Sequence, residues 1–213
     1  MDFLALAQQC APTVHPLTMA AVVRVESGFN PLAIGVVGGR LERQPVSKGE
    51  AVVTAKALAD AGYNFSLGVG QINRYNLPKY GLNYETAFDP CLNLSAGASI
   101  LSDCFGRARG RYREQQQALQ AALSCYYSGN FSTGFQADFA GQPSYVQKVV
   151  GSAGGTAEAE TVAPVRVIRA MQQRSATKTR TTEAYHVTVQ GEGKGAASPP
   201  VVGNPTDTVM VYR

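Results

Sequence analysis

Glu26 is the residue of this chain best equipped to move a proton. It closes the stretch Ala20-Ala-Val-Val-Arg-Val-Glu26, in the last turn of a helix that the sequence predicts from His15-Pro16-Leu17-Thr18 to a stop at Gly28. An anion there meets the negative end of the helix dipole, and apolar neighbours strip it of water. Both effects favour the protonated carboxyl, the form a general acid needs near neutral pH. The same position also suits an ordinary surface glutamate at a helix end. No second carboxylate stands out: Asp89, ahead of Pro90, and Asp103 are expected as helix caps. Metal chemistry is not expected, because His15 and His186 are the only imidazoles and the cysteines form no Cys-x-x-Cys pair.

The elements that would position Glu26 are mostly helical. Beyond its own helix, residues 48–61 form an Ala-rich helix closed by Gly62, and residues 92–105 and 115–127 form two more. A basic loop, Gly106-Arg-Ala-Arg-Gly-Arg-Tyr-Arg113, joins the last two. Val36-Val-Gly-Gly-Arg-Leu41 reads as a short β-hairpin. The expected class is mainly α, with a small β-hairpin. No phosphate-cradling glycine motif and no solenoid repeat is present. Cys10, Cys91, Cys104 and Cys125 are compatible with two disulfides and an oxidising compartment, or with four buried thiols; three connectivities are open.

Three segments follow one another in order: Glu26-Ser-Gly-Phe-Asn-Pro31, Ser66-Leu-Gly-Val-Gly-Gln-Ile-Asn73, and Ala122-Leu-Ser-Cys-Tyr-Tyr-Ser-Gly-Asn-Phe131. Together they resemble the Glu-Ser pair, the Gly-Leu-Met-Gln box and the Ala-Tyr-Asn-Ala-Gly box of the goose-type-lysozyme-like lytic transglycosylases. Residues 33–41, Asn64-Phe65 and Tyr145-Val-Gln-Lys-Val149 look most like the branch that accompanies type IV secretion and conjugation machines. The resemblance covers about residues 12–150 and implies an α+β lysozyme-like domain over 1–150. It makes Glu26 the catalytic acid and base, oriented by Ser27. Val69, Gly70, Gln71 and Asn73 would line a sugar cleft, with Tyr126 near the scissile bond. Tyr127 and Tyr145 are further candidate sugar contacts. Two segments depart from the pattern: Val69-Gly70 stands where Leu-Met is usual, and Tyr127 where Asn is.

Each of these residues also has an ordinary structural use. Tyr126 and Tyr127 could be core aromatics, and Gln71 and Asn73 could cap loop backbone. Tyr63, Tyr75, Tyr80 and Tyr145 could carry sugar rings or simply pack. If Glu26 acts alone, it must serve twice, because most glycosidases use two carboxylates. It would protonate the oxygen between N-acetylmuramic acid and N-acetylglucosamine, then take the proton of the muramic O6 hydroxyl as O6 closes onto C1. The expected product is a 1,6-anhydromuramoyl end, made without metal or cofactor. A lysozyme-type hydrolase and a non-catalytic peptidoglycan-binding scaffold are the alternatives.

Composition bounds the partners. The chain has 213 residues and a net charge of +4. Residues 1–150 hold 12 Lys+Arg against 10 Asp+Glu, and residues 151–213 hold 7 against 5, so each part is only +2. Such an even spread argues against a nucleic-acid partner. No window is apolar enough to span a membrane. Residues 151–213 have the low-complexity texture of a largely disordered tail. The apolar stretches at 162–168 and 209–212 could be strands or docking peptides for a secretion apparatus. Met1-Asp-Phe-Leu-Ala-Leu-Ala-Gln-Gln9 lacks the basic start and the apolar length of a secretory signal. A periplasmic or envelope location is nevertheless what the resemblance implies.

Overall fold

A computed structural model describes residues 2–154. The expectations for the tail beyond Gly154, including residues 162–168 and 209–212, lie outside the described residues. Six α-helices surround a small sheet among the described residues: α1 (Phe3–Cys10), α2 (Pro16–Ser27), α3 (Lys48–Asp60), α4 (Pro90–Arg109), α5 (Gln115–Ser128) and α6 (Tyr145–Gly154). The strands are β1 (Ile34–Val36), β2 (Phe65–Leu67) and β3 (Ile72–Asn73).

Local chemistry explains most of the helix ends. Pro16 occupies the first position of α2, where its missing N–H costs nothing, and Gly28 ends the helix at φ 59°. Ser47 caps α3 by accepting the Glu50 N–H, and Asp89 caps α4 by accepting the Leu92 N–H. Asp103 is not a cap, contrary to expectation. Helix α4 does not stop before Gly106 but continues to Arg109, because Ala108 buries itself against Ala118 and Ala121 of α5. Asp103 therefore lies inside α4, where it accepts from Lys79 at 3.2 Å. Helices α1 and α6 were not anticipated as elements.

The expected hairpin over 36–41 does not form. Instead β1 pairs antiparallel with β2, bringing Ile34 opposite Leu67 and Val36 opposite Phe65, and β2 pairs with β3 through Leu67 and Ile72. Ile34, Phe65, Leu67 and Ile72 are fully buried, and this shared core sets the register. The chain after β1 turns back at Gly38, but a side chain takes the place of a returning strand. Gln44 donates from Nε2 to the Ile34 carbonyl at 3.0 Å and accepts the Ile34 N–H at 2.8 Å.

The core gathers Met19, Val22 and Val23 of α2, Leu94 and Leu101 of α4, and Val149 of α6 around the sheet. Helix α4 packs along α5, and α2 along α6. Two disulfides fasten this arrangement: Cys10–Cys91 joins α1 to α4, and Cys104–Cys125 joins α4 to α5.

Candidate active site

Glu26 is half-buried in the last turn of α2 and opens onto a cleft of about 610 Å³. One side of the cleft is β1 with the turn after it, through Gly38, Gly39, Arg40 and Leu41. Gln44, Ser66, Gln71, Tyr127, Asp138 and Phe139 complete its lining. The Tyr145 hydroxyl, from the first residue of α6, donates to Glu26 Oε1 at 2.6 Å. Helices α2 and α6 pack together, so this bond depends on their docking rather than on nearness in sequence.

The loop from Gly68 to Gln71 is held from several sides. Ser27, beside Glu26, donates its hydroxyl to the Val69 carbonyl at 2.7 Å. Gln71 adopts φ 51° and donates from Nε2 to the carbonyls of Gly68 at 2.8 Å and Ala33 at 3.1 Å. Its Oε1 comes so close to Gly35 that a Cβ there would lie 2.6 Å away, so any larger residue at 35 would push the Gln71 amide from its place. Gly68 has φ 77°, and a Cβ on it would strike the Asn93 amide and the Ala87 carbonyl. Asn93, fully buried on α4, accepts the Gly70 N–H at 2.7 Å and donates to Leu67 O at 2.9 Å and Ala87 O at 2.7 Å. Every hydrogen-bonding atom of that amide group is used. This is what a buried polar side chain requires.

The residues singled out from the sequence fall into two layers. Glu26, Gln71 and Tyr127 line the cleft, while Tyr145 is buried and touches Glu26 through its hydroxyl. Ser27, Val69, Gly70, Asn73 and Tyr126 stand behind that surface. Tyr126 is 3% exposed and donates to the Gly70 carbonyl at 2.7 Å. Asn73 is fully buried, donating to Asn64 Oδ1 at 2.8 Å and accepting the Tyr75 N–H at 3.2 Å. Tyr63 and Tyr75 are half-exposed, and neither they nor Tyr80 line the cleft.

Several cleft residues escaped sequence reasoning: Arg40, Gln44, Ser66, Asp138 and Phe139. Arg40 and Ser66 fall inside segments that the sequence singles out, though with no role of their own there, and Asp138 and Phe139 sit in the loop between α5 and α6. Asn93 offered one signal, a polar residue between Leu92 and Leu94 on an otherwise apolar helix stretch.

Charges are arranged unevenly around the cleft. Asp138 Oδ1 accepts the Tyr127 hydroxyl at 2.6 Å, and its Oδ2 lies 3.7 Å from the Lys148 ammonium. The rings of Tyr127 and Tyr145 stack at 4.5 Å with an interplanar angle of 17°. Behind the β1 side, Arg43 binds Glu50 with both guanidinium nitrogens and donates to the Gln44 carbonyl. The Arg43 hydrogen bond, reinforced by the Val46 N–H, holds the Glu50 carboxyl down at about 2. Chemically, the cleft offers one half-buried carboxyl with a phenol donor and a second carboxylate whose two oxygens are both engaged.

The family described as Transglycosylase SLT domain matches residues 3–144. The type IV secretion system protein virB1 of Brucella suis biovar 1 is 63% identical over 166 residues, which cover 78% of this chain and 69% of that protein. Protein virB1 of Agrobacterium fabrum is 35% identical over 137 residues, covering 63% of this chain and 54% of its own. Protein virB1 of Rhizobium radiobacter is 37% identical over 136 residues, covering 63% and 56%. No solved structure matches the chain.

Proposed function

This chain belongs to the transglycosylase SLT family and is a lytic transglycosylase, and from that premise we propose that Glu26 cuts peptidoglycan glycan strands as a single acid/base. Glu26 protonates the glycosidic oxygen between N-acetylmuramic acid and N-acetylglucosamine. The muramic O6 hydroxyl then attacks C1 and surrenders its proton to the same carboxylate, leaving a 1,6-anhydromuramoyl end. Gln71, Tyr127 and the rim residues Arg40 and Phe139 contact the sugars. Ser27, Asn93 and Tyr126 hold the loop behind them.

One observation carries this reading. Glu26 faces the cleft with the Tyr145 hydroxyl on its Oε1, whereas Asp138, the other carboxylate lining the cleft, is occupied by Tyr127 and Lys148. A carboxylate committed on both oxygens is a poor general base for water. That favours the muramic hydroxyl as the nucleophile over hydrolysis.

The named type IV secretion role of the Brucella relatives supports work beside such an apparatus, opening the wall locally from the periplasmic side. Recruitment through residues 151–213 belongs to the same proposal. Among the described residues no helix is long and apolar enough to cross a membrane.

The test is mass spectrometry of purified sacculi digested by the wild-type protein and by Glu26→Gln. Wild type should release fragments lacking one water, and Glu26→Gln should release none. Reducing-end products alone would replace this reading with hydrolysis.

A further inference from the structure

Asp138 has a role beyond lining the cleft. It comes from the loop between α5 and α6, yet it touches both helices: Tyr127 of α5 through Oδ1 at 2.6 Å, and Lys148 of α6 through Oδ2 at 3.7 Å. Lys148 lies one turn beyond Tyr145 on α6, on the same side of the helix. Tyr127 stacks on Tyr145, and Tyr145 holds Glu26. The four side chains form a continuous series from the loop to the carboxyl proposed to do the chemistry.

We infer that Asp138 is a positioning residue: it pins the Tyr127 ring and α6 to each other, and thereby keeps the Tyr145 hydroxyl on Glu26. The inference rests on the reading of Glu26 as the acid/base. The physical argument concerns degrees of freedom. A stacked ring is restrained perpendicular to its plane but slides easily within it. The hydrogen bond from the Tyr127 hydroxyl to a carboxylate removes that sliding, because such bonds are short and directional. Lys148 holds Asp138 from the helix that carries Tyr145, so both rings share one anchor. Both carboxylate oxygens are spent in this way, which fits a residue acting through others rather than on the substrate.

Tyr127 is the position at which this chain departs from the Asn that its third segment leads one to expect. The shorter Asn side chain would lack both the phenol ring that stacks on Tyr145 and the hydroxyl that reaches Asp138. The departure and Asp138 thus make sense together, as two halves of one device.

The experiment is a double-mutant cycle on kcat and KM with purified peptidoglycan, using Asp138→Ala, Tyr145→Phe and their combination, with Asp138→Asn as the conservative variant. An amide oxygen still accepts from Tyr127. Asp138→Ala should lower kcat about tenfold with KM little changed, as expected when a reacting group is misplaced by a fraction of an ångström. Asp138→Asn should recover most of that loss. In the Tyr145→Phe background, Asp138→Ala should cost nothing further, because its effect travels through the missing hydroxyl.

Wild-type kcat for Asp138→Ala, a loss confined to KM, or fully additive losses in the cycle would each overturn the proposal. Glu26→Gln is run alongside. Turnover by Glu26→Gln would remove the reading of Glu26 and this inference together, whereas wild-type turnover by Asp138→Ala with an inactive Glu26→Gln removes the inference alone.

Discussion

The Tyr145 hydroxyl lies 2.6 Å from Glu26 Oε1, although 119 positions of chain separate the two residues. The packing of α6 on α2 brings the first turn of the one to the last turn of the other. Replacing Tyr145 with Phe keeps the ring and its stacking on Tyr127 while deleting the donor. Turnover should fall about ten- to a hundredfold, less than the roughly 10²–10⁴-fold that a proton-transferring group itself contributes. Steady-state release of soluble muropeptides measures it, and near-UV circular dichroism checks that the ring packing survives. Unchanged turnover would show that the hydroxyl is idle.

Asn93 should matter for both stability and activity. Asn93→Ala strands the Gly70 N–H and the carbonyls of Leu67 and Ala87 in the interior. Each buried group left without a partner costs about 1–3 kcal/mol, so a loss of roughly 3 kcal/mol or more is expected. Urea denaturation gives the number. Turnover should fall as well, since the Gly68–Gln71 loop loses its anchor. A variant as stable as wild type would mean that water replaces the amide.

The disulfides should contribute unequally. Cys10–Cys91 spans 81 positions and Cys104–Cys125 spans 21. Loop-closure entropy assigns about 4.5 kcal/mol to the longer and about 3 kcal/mol to the shorter. Paired Cys→Ala variants compared by denaturation should rank in that order. Equal losses would point to packing at the bridges rather than loop length.

Glu50 provides a pH signature. Its carboxyl is depressed to about 2, chiefly by the Arg43 hydrogen bond and then by the Val46 N–H, from an ordinary 4.5. A depressed acid stabilises the fold above its unfolded value and loses that contribution as pH falls through its folded one. Wild type should therefore melt higher than Glu50→Gln at neutral pH. The gap should hold down to about 4.5 and close near 2. The pair is exposed, so the gap is small and shrinks in salt. A gap that persists at the acid end would assign the effect to helix capping instead.

What the sequence could show was whatever depends on neighbours along the chain. The Pro16 start and Gly28 stop of α2, the Lys48 start of α3 and the Asp89 cap are all local chemistry, and all are readable. The hairpin over 36–41 failed because two glycines looked like a turn, while the partner that buries Ile34 and Val36 lies at Phe65–Leu67. Tyr126 and Tyr127 show the limit most sharply. Adjacent residues on a helix point about 100° apart, so one enters the core toward Gly70 and the other lines the cleft. Nothing in two consecutive tyrosines says which is which. Asp138 was invisible for a related reason: its partners come from two helices whose docking only the folded chain defines.

Gln44 has a consequence for encounters between copies of this protein. A strand at the margin of a sheet exposes backbone groups on which another chain can build. Here both outward groups of Ile34 are filled by the Gln44 amide, and the Val36 carbonyl is filled by the Gly39 N–H at 3.2 Å. Copies of the protein that meet thus find no template at β1 for joining sheets, and so one glutamine closes the sheet margin beside the cleft.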